Sequence, residues 1–392
     1  MNSNWIILLL FLLPVAAISG WMAARSSYSG SGKGRHRQLP PEYFKGLNYV
    51  LNEQPDKAIE IFVKMLEVDS ETIETHLALG SLFRRRGEVD RAIRIHQNLI
   101  ARPTLDTEYK TQALLELGLD YMKLGILDRA EGLFSELVAA DSTSVQAYTH
   151  LLDIYQQERD WDKAIATARK LESISSRDLH PVMAQYYCEL ADFELNAHNN
   201  SNAISHLKRA LNLDPKCVHA SLMEAELAMK ASDYQDAIMA CRRIEKQDPE
   251  YLPEVVTWMH DCYANLKTPE KYREYLTEIL GSYGGITPLL CLTDEIAEAE
   301  GEEAAIRFLS DELHKRPTVR GVDHLIKYAI LRTEGGLHEN LSTIKELTTR
   351  LLEDRSVYKC RVCGFGARKL HWQCPGCKNW NSVKPVQGVH GE

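Results

Sequence analysis

GSLFRRRGEVDRAIRIHQ, residues Gly80 to Gln97, is the stretch that predicts the fold of most of the chain. Its first half contains a small residue, Gly80, and an aromatic residue, Phe83, and its second half contains another small residue, Ala92. Small residues let two helices approach closely, and an aromatic side chain fills the space between neighbouring helix pairs. The stretch therefore predicts two antiparallel helices that pack against each other and against further pairs.

The small residue of the second helix recurs with a period near 34 between about residues 39 and 354. Seven alanines occupy this position: Ala58, Ala92, Ala130, Ala164, Ala203, Ala237 and Ala305. Successive spacings are 34, 38, 34, 39 and 34, followed by 68, which is two periods. Lys271 and Glu339 fall in register in two degenerate units, which gives about nine units. A period of 34 is typical of the tetratricopeptide repeat.

Three further positions follow the same register. Glycine lies twelve residues before the alanine in three units, an aromatic residue nine before it in four, and phenylalanine four after it in two. These residues are Gly46, Gly80 and Gly118; Tyr49, Phe83, Tyr121 and Tyr155; and Phe62 and Phe134. The pattern predicts an all-α tetratricopeptide-repeat superhelix over residues 39–354, with a groove lined by the first helices. We expect this groove to bind protein, and a passive spacer is the alternative.

A run of basic residues stands out in the second unit. From their offset to Ala92, Arg84 and Arg85 are predicted to face the groove. They are candidates for binding a carboxylate of a partner, because guanidinium groups pair with carboxylates through two hydrogen bonds. A solvated surface is the alternative for such a run of charges.

The N-terminal region reads as a membrane anchor. Residues 5–24, WIILLLFLLPVAAISGWMAA, are twenty residues without a charge, and a helix of that length spans about 30 Å, the thickness of the hydrocarbon layer. We therefore predict a transmembrane helix within residues 1–24. A cleaved signal peptide is the weaker alternative, because no Lys or Arg precedes the apolar run.

The Gly- and Ser-rich linker at residues 25–38 contains four basic residues, and the basic flank of a span stays on the cytoplasmic side. The bulk of the chain is therefore expected in the cytoplasm.

The charge distribution excludes one class of partner. The whole chain has a formal net charge of -9, but residues 38–354 contain 35 Lys and Arg against 54 Asp and Glu. Nucleic-acid binding needs a basic surface that displaces counterions from phosphates. We therefore expect no nucleic-acid partner for the repeat region.

Four cysteines near the C-terminus have the spacing of a metal site. They form two C-x-x-C pairs, Cys360 with Cys363 and Cys374 with Cys377, and each pair places two thiolates on one tight turn. Two disulfides are the alternative, but a cytosolic compartment is reducing. We predict a metal-binding module at residues 355–392 that holds one iron or zinc ion and serves a structural role.

No catalytic motif accompanies the metal site. His371 lies between the two cysteine pairs, but four thiolates already complete a tetrahedral shell. The other five cysteines lack ligand spacing, and the sequence has no H-E-x-x-H, no G-x-S-x-G and no phosphate-binding loop. We therefore expect a protein that is not an enzyme.

The order of these parts resembles one known family. An anchor containing LLPVAA, an array carrying FRRRGEVDRAIRIHQ (residues 83–97) and a terminal rubredoxin-like CPGC module together resemble the lipopolysaccharide assembly protein B family, LapB, also called YciM. The resemblance covers the whole chain. The family's metal ligands carry over to the four terminal cysteines: Cys360, Cys363, Cys374 and Cys377.

The resemblance also implies a location and partners. It implies a single-pass protein of the Gram-negative inner membrane that regulates lipopolysaccharide biosynthesis as an adaptor or scaffold. The implied partners are the membrane protease FtsH, the lipid A pathway deacetylase that this protease degrades, and other lipopolysaccharide assembly proteins. An iron-thiolate electron-transfer protein and a purely structural scaffold are the alternatives, and a homodimer is left open.

Overall fold

The computed structural model describes residues 21–22, 41–52, 54–68, 73–103, 105–353, 355–389 and 391–392. The predicted anchor and the basic linker lie outside the described residues, except for Trp21 and Met22. Among the residues that are described, none of the helices combines the length and the apolar character that crossing a bilayer requires. The chain divides into two compact units, one ending at Leu137 and one running from Val138 to Glu392.

The first unit is built from helix pairs. Its helices are α1 (Pro41–Leu51), α2 (Pro55–Val68), α3 (Ile73–Arg86), α4 (Val89–Ile100), α5 (Thr107–Leu124) and α6 (Leu127–Ala140), the last of which continues into the second unit. Most of the connections between them are a few residues long, as is usual between antiparallel neighbouring helices. Gly125, which follows α5, has a φ of 76°, the left-handed conformation that glycine adopts at helix ends without strain.

Glycine on the first helix of a pair faces a ring on the second. A Cβ added to Gly46 would lie 2.6 Å from the ring of Phe62, and one added to Gly118 would lie 2.6 Å from the ring of Phe134. Both phenylalanines are fully buried. The glycines are needed because any side chain at these positions would collide with the ring that fills the pair.

The second unit continues with twelve more helices within its described residues. They are α7 (Val145–Glu158), α8 (Trp161–Ile174), α9 (His180–Asn196), α10 (Asn200–Leu213), α11 (Val218–Lys230), α12 (Tyr234–Gln247), α13 (Leu252–Asn265), α14 (Pro269–Ser282), α15 (Ile286–Glu300), α16 (Glu302–Lys315), α17 (Val319–Leu331) and α18 (Gly336–Glu353). A short 3₁₀ helix, Pro249–Tyr251, precedes α13.

The seven alanines that set the register all lie in even-numbered helices, and each is completely buried. Lys271 in α14 and Glu339 in α18 are exposed instead. The close packing of a small residue is thus kept in seven pairs and given up in the two degenerate ones. The predicted array of tetratricopeptide repeats is confirmed by the helices and their register.

The chain ends in a small antiparallel sheet. Its strands are β1 (Tyr358–Cys360), β2 (Gly366–Ala367) and β3 (Val383–Pro385), in the order β2-β1-β3. Tyr358 pairs with Ala367 on one side and with Pro385 on the other. The sheet buries little beyond Cys360, Cys374 and Val383, which is too small a core for a module of this size to be stable without a staple.

Candidate metal centre

The structure brings the four terminal cysteines together. Their Sγ atoms all lie within 4.8 Å of one another. The Sγ atoms of Cys360 and Cys377 are 3.7 Å apart, and those of Cys363 and Cys374 are 3.6 Å apart. Thiolates about 2.3 Å from a tetrahedral ion lie about 3.8 Å from each other. The spacing therefore fits one tetrahedral metal ion, and the sulfur-only donor set suits zinc or iron.

Each cysteine pair forms a tight turn that directs backbone N–H groups at sulfur. The Sγ of Cys360 accepts from the N–H groups of Val362 and Cys363, and the Ser382 hydroxyl lies 3.4 Å away. The Ser382 contact, followed by these N–H groups, lowers the pKa of Cys360 to about 6. The pKa of Cys377 in the second turn is lowered in a similar way, through hydrogen bonds from the side chain and the backbone N–H of Asn379. Such bonds favour the thiolate, the form that binds metal.

The backbone of the two turns explains the residues that follow the cysteines. Gly364 follows Cys363 with a φ of 79°, and Lys378 follows Cys377 with a φ of 59°. Gly376 lies close to the cluster, and a Cβ there would make an ordinary contact of 3.5 Å with the Sγ of Cys363. The two turns are thus near copies of one another around a single site.

His371 is not part of the cluster. Within the described residues, the only other group with metal-binding spacing is Glu172, Asp178 and His180, which pair with one another at the surface. The predicted ligand set is therefore the four cysteines alone. Cys374 is fully buried, whereas Cys363 is exposed, so the site has one protected side and one accessible side.

Two tryptophans of the module pack on the repeats of the second unit. The indole of Trp372 stacks on the imidazole of His219 in α11, with ring centroids 4.2 Å apart, and on the ring of Tyr251 at 5.5 Å. Burial lowers the pKa of His219 to about 3, so this imidazole is neutral. Its Nδ1 lies 3.0 Å from the side-chain oxygen of Gln185 in α9.

Trp380 occupies a second aromatic site. Its ring lies edge-on to Trp161 in α8 and to Tyr186 in α9, with centroid distances of 6.0 and 5.9 Å. Its Nε1 donates to the side-chain oxygen of Gln156 in α7 at 3.0 Å. Together the two indoles join the module to three consecutive helix pairs and to the 3₁₀ helix before α13. Edge-to-face and stacked rings each add to the stabilisation from burial alone.

Polar contacts extend the same interface. Lys384 pairs with Asp248 and lies 3.5 Å from Glu250, which also accepts from Arg361 at 3.2 Å. The Tyr251 hydroxyl donates to Asn381 at 2.8 Å. The basic charges of the module therefore meet acidic charges of the repeats, as the uneven charge of the sequence suggests.

The last residue is held by the last two helix pairs. The side-chain carboxylate of Glu392 accepts from the backbone N–H of Thr287 at 3.0 Å and from its hydroxyl at 2.5 Å. The same carboxylate pairs with Arg320 at the start of α17. Along the module, the contacts come mainly from odd-numbered helices, which are the first helices of their pairs.

The two arginines predicted to bind a partner differ in their surroundings. The guanidinium of Arg84 pairs with Glu116 at 2.6 Å and with Asp120 at 2.8 Å, and both acids lie on α5. Asp120 is fully buried and also lies 2.6 Å from the Nδ1 of His96. Arg85 is exposed. A role in partner binding stays a prediction for both residues, but Arg84 already has carboxylate partners within the chain.

Comparison with known proteins places the chain in a family. It is 35% identical to lipopolysaccharide assembly protein B of Escherichia coli K12 over 98% of this chain and 99% of that protein. It is 36% identical to the protein of the same name from Haemophilus influenzae, over 97% and 98% of the two chains. The chain belongs to the lipopolysaccharide assembly protein B family. The predicted resemblance is confirmed.

Models of smaller families match parts of the chain. The model described as a rubredoxin metal binding domain matches residues 358–385, and tetratricopeptide repeat models match residues 75–108, 115–178 and 188–251. Among solved structures, the chain resembles MamA from Desulfovibrio magneticus RS-1, with 16% identity and a TM-score of 0.34 over 45% of this chain and 97% of that one.

The sequence pointed to the four cysteines but not to the aromatic contacts that hold their module on the repeats. Trp372 and Trp380 stand out as aromatic residues beside the cysteines, yet nothing in the sequence pairs them with His219 or Trp161. These contacts join residues more than 150 positions apart. One feature of the sequence could have predicted that the module docks on the repeats: it contains more aromatic residues than so small a fold can bury within itself.

Proposed function

We propose that the chain is a membrane-tethered adaptor in lipopolysaccharide assembly, in which the repeats bind partner proteins and the metal module holds part of the repeat array in place. Membership of the lipopolysaccharide assembly protein B family supports the pathway. The repeats support protein binding, because stacked helix pairs offer long surfaces that recognise peptides and helices. The sequence carries no catalytic motif, which supports an adaptor role and not an enzymatic one.

The metal module acts as a clamp in this proposal. Cys360, Cys363, Cys374 and Cys377 would hold one zinc or iron ion, which supplies the cross-link that fixes the two turns relative to each other. Folding of the module brings Trp372 and Trp380 into register with the repeats. This aromatic pairing is the observation that carries the proposed role, because it links the packing of three helix pairs to a module that four thiolates hold together.

The proposal includes a membrane anchor at residues 1–24. Its support is the uncharged run at residues 5–24 followed by Arg25, Lys33, Arg35 and Arg37, which favour the cytoplasmic side for the repeats. Tethering raises the effective concentration of the repeats near membrane partners without any new contact. Extraction of membranes with alkaline carbonate tests the anchor: the full chain should stay with the lipid, and a variant that begins at Gln38 should be released.

The family resemblance suggests a specific client and protease. In this part of the proposal, the repeats deliver the lipid A pathway deacetylase to the membrane protease FtsH, and they gather other lipopolysaccharide assembly proteins. The half-life of the deacetylase after depletion of the chain tests the idea. We expect the half-life to lengthen several-fold, with restoration by the parent chain and by Cys291→Ser but not by Cys374→Ser.

The outcomes separate an adaptor from a scaffold. In one outcome, depletion changes the amount of lipopolysaccharide without changing the half-life of the deacetylase. That result would contradict delivery to a protease and would favour a scaffold for biosynthetic enzymes. Normal regulation by Cys374→Ser, once loss of its metal has been verified by elemental analysis, would contradict the clamp. Full rescue by the variant that begins at Gln38, at native expression, would contradict the need for the anchor.

A further inference from the structure

Helix α1 presents an apolar face that the described residues leave partly exposed. Phe44, Leu47 and Leu51 are 58%, 40% and 75% exposed. At 100° per residue, these three side chains lie within an arc of about 60° on one side of the helix. The opposite side of α1 is used for packing, because Gly46 is buried against Phe62 of α2. The exposed face is therefore additional to the one that holds the first helix pair together.

The next pair shows what this face does inside an array. One period of 34 residues further on, the equivalents of Phe44, Leu47 and Leu51 are Ala78, Ser81 and Arg85 of α3. Ala78 packs against a core that the first two pairs share, which contains Phe62 of α2 and Leu79 of α3. Arg85 is exposed although a pair precedes α3.

The position of Leu51 thus corresponds to that of Arg85, on the side predicted to face the groove, and in α3 it stays at the surface even with a pair in front of it. On this face α1 carries larger apolar residues than α3. Terminal repeats usually present a polar outer face, so the apolar residues of α1 call for a different partner.

The chain before α1 indicates which partner is close. Sixteen residues, 25–40, separate the uncharged run from α1, and they include Arg25, Lys33, Arg35 and Arg37. A chain of sixteen residues reaches at most about 55 Å, even when it is fully extended. If residues 5–24 cross the membrane, as proposed above, α1 stays within that distance of the lipid headgroups. The basic linker is attracted to anionic headgroups and holds the helix near them.

A second copy of the chain is the main competing occupant. Three partly exposed side chains offer an apolar area of a few hundred Å², whereas a stable protein interface needs about 800 Å² from each partner. The patch is too small to form a dimer by itself. A membrane surface does not face this limit, because the anchor already supplies most of the attachment and the helix adds only a local contact.

We propose that α1 lies on the membrane surface, with Phe44, Leu47 and Leu51 inserted among anionic lipids. This inference rests on the proposed anchor. It gives the repeat array a fixed starting orientation at the membrane, since one face of its first helix is the face that touches lipid. Amphipathic helices bind lipid interfaces in this way.

Photo-crosslinking of the full chain tests the contact. Phe44→p-benzoylphenylalanine is placed in the chain, which is reconstituted into vesicles of phosphatidylethanolamine and phosphatidylglycerol in equal amounts. The matched position is Glu60, which is exposed on α2. After irradiation, mass spectrometry identifies what the probe has bonded to. We expect phospholipid adducts at position 44, in yields about fivefold or more above those at position 60.

Further variants keep the result interpretable. Leu51→Glu changes an exposed residue, so the repeats should stay folded by circular dichroism, and the lipid adducts at position 44 should fall about fivefold. Replacing phosphatidylglycerol with phosphatidylcholine should also lower them. Adducts at position 44 to another copy, to another part of the same chain, or at the level of position 60 would overturn the proposal, as would an unchanged yield in Leu51→Glu.

Carbonate extraction of the same vesicles reports on the anchor separately. A chain that resists extraction but gives no lipid adducts keeps the anchor and overturns the contact of α1. A chain that is extracted, yet gives lipid adducts before extraction, supports the contact of α1 and contradicts the anchor.

Discussion

The indole of Trp372 stacks on the imidazole of His219 with ring centroids 4.2 Å apart and an angle of 12° between the ring planes. Trp372 lies between the two cysteine pairs of the metal module, whereas His219 lies in the first turn of α11. This single contact therefore connects the metal-dependent fold of the terminal module to the helical repeats. It makes both rings useful positions for testing how the module and the repeats depend on each other.

Trp372→Ala should weaken the docking of the module on the repeats while the metal stays bound. Removing a packed tryptophan costs about 3–5 kcal/mol, whereas the contacts of Trp380 with Trp161 and Tyr186 remain. Limited proteolysis should then cleave between α18 and β1, near Arg355, faster than in the parent chain. Val362→Ala is the control, because Val362 is exposed on the same module. Equal cleavage rates for Trp372→Ala and the parent would show that the stack does not hold the module.

Acid should weaken the same contact through His219. Burial holds the pKa of His219 at about 3, below its ordinary value of 6.5. A neutral imidazole is therefore favoured in the folded chain, and its contribution to stability is complete above pH 6.5 and is lost as the pH falls from 6.5 towards 3. Denaturation followed at several pH values should show this loss for the second unit.

A matched variant separates His219 from the carboxyl groups nearby. Glu254 also has a shifted pKa, which burial raises, so the parent chain contains more than one acid-sensitive group. His219→Phe keeps an aromatic ring for the stack and removes the titration, so its stability should fall less between pH 6.5 and 4. Met239→Leu changes an exposed residue that has no titratable group and should keep the pH dependence of the parent. An identical pH profile for His219→Phe and the parent would contradict the role of this group.

The repeats and the metal ligands could be read from the sequence because each depends on local spacing. A buried alanine at spacings near 34 residues and two C-x-x-C pairs reflect steric and chemical requirements that act over short stretches of chain. The contact between Trp372 and His219 has no such signature, since two aromatic residues far apart in sequence can each pack in many ways. The same is true of Arg84, whose charge was visible but whose partners on α5 were not.

Loss of one thiolate should remove both the metal and the docked module. Cys374→Ser opens the tetrahedral shell at its fully buried ligand, and the binding energy of such a site is also the folding energy of its module. Elemental analysis should give one zinc or iron per parent chain and none in the variant, while the helical circular dichroism of the repeats persists. Cys291→Ser, outside the cluster, should keep its metal. A metal-free Cys374→Ser that resists proteolysis near Arg355 would contradict the clamp.

Arg84 and Arg85 should separate stability from partner binding. Arg84→Ala leaves the buried carboxylate of Asp120 without its guanidinium partner, and removing one member of a buried ion pair costs about 3–5 kcal/mol. Arg85→Ala changes an exposed side chain and should alter the free energy of unfolding by about 0.5 kcal/mol or less. Urea denaturation of the two variants measures the difference.

Reversing both charges together would therefore confuse a folding defect with a binding defect, and Arg85→Glu alone is the informative test of client capture. Weaker capture by Arg85→Glu with parental stability would support a partner surface beside α3, whereas unchanged capture would remove Arg85 from that surface. Equal stability of Arg84→Ala and Arg85→Ala would show that the network of Arg84, Glu116 and Asp120 does not stabilise the first unit.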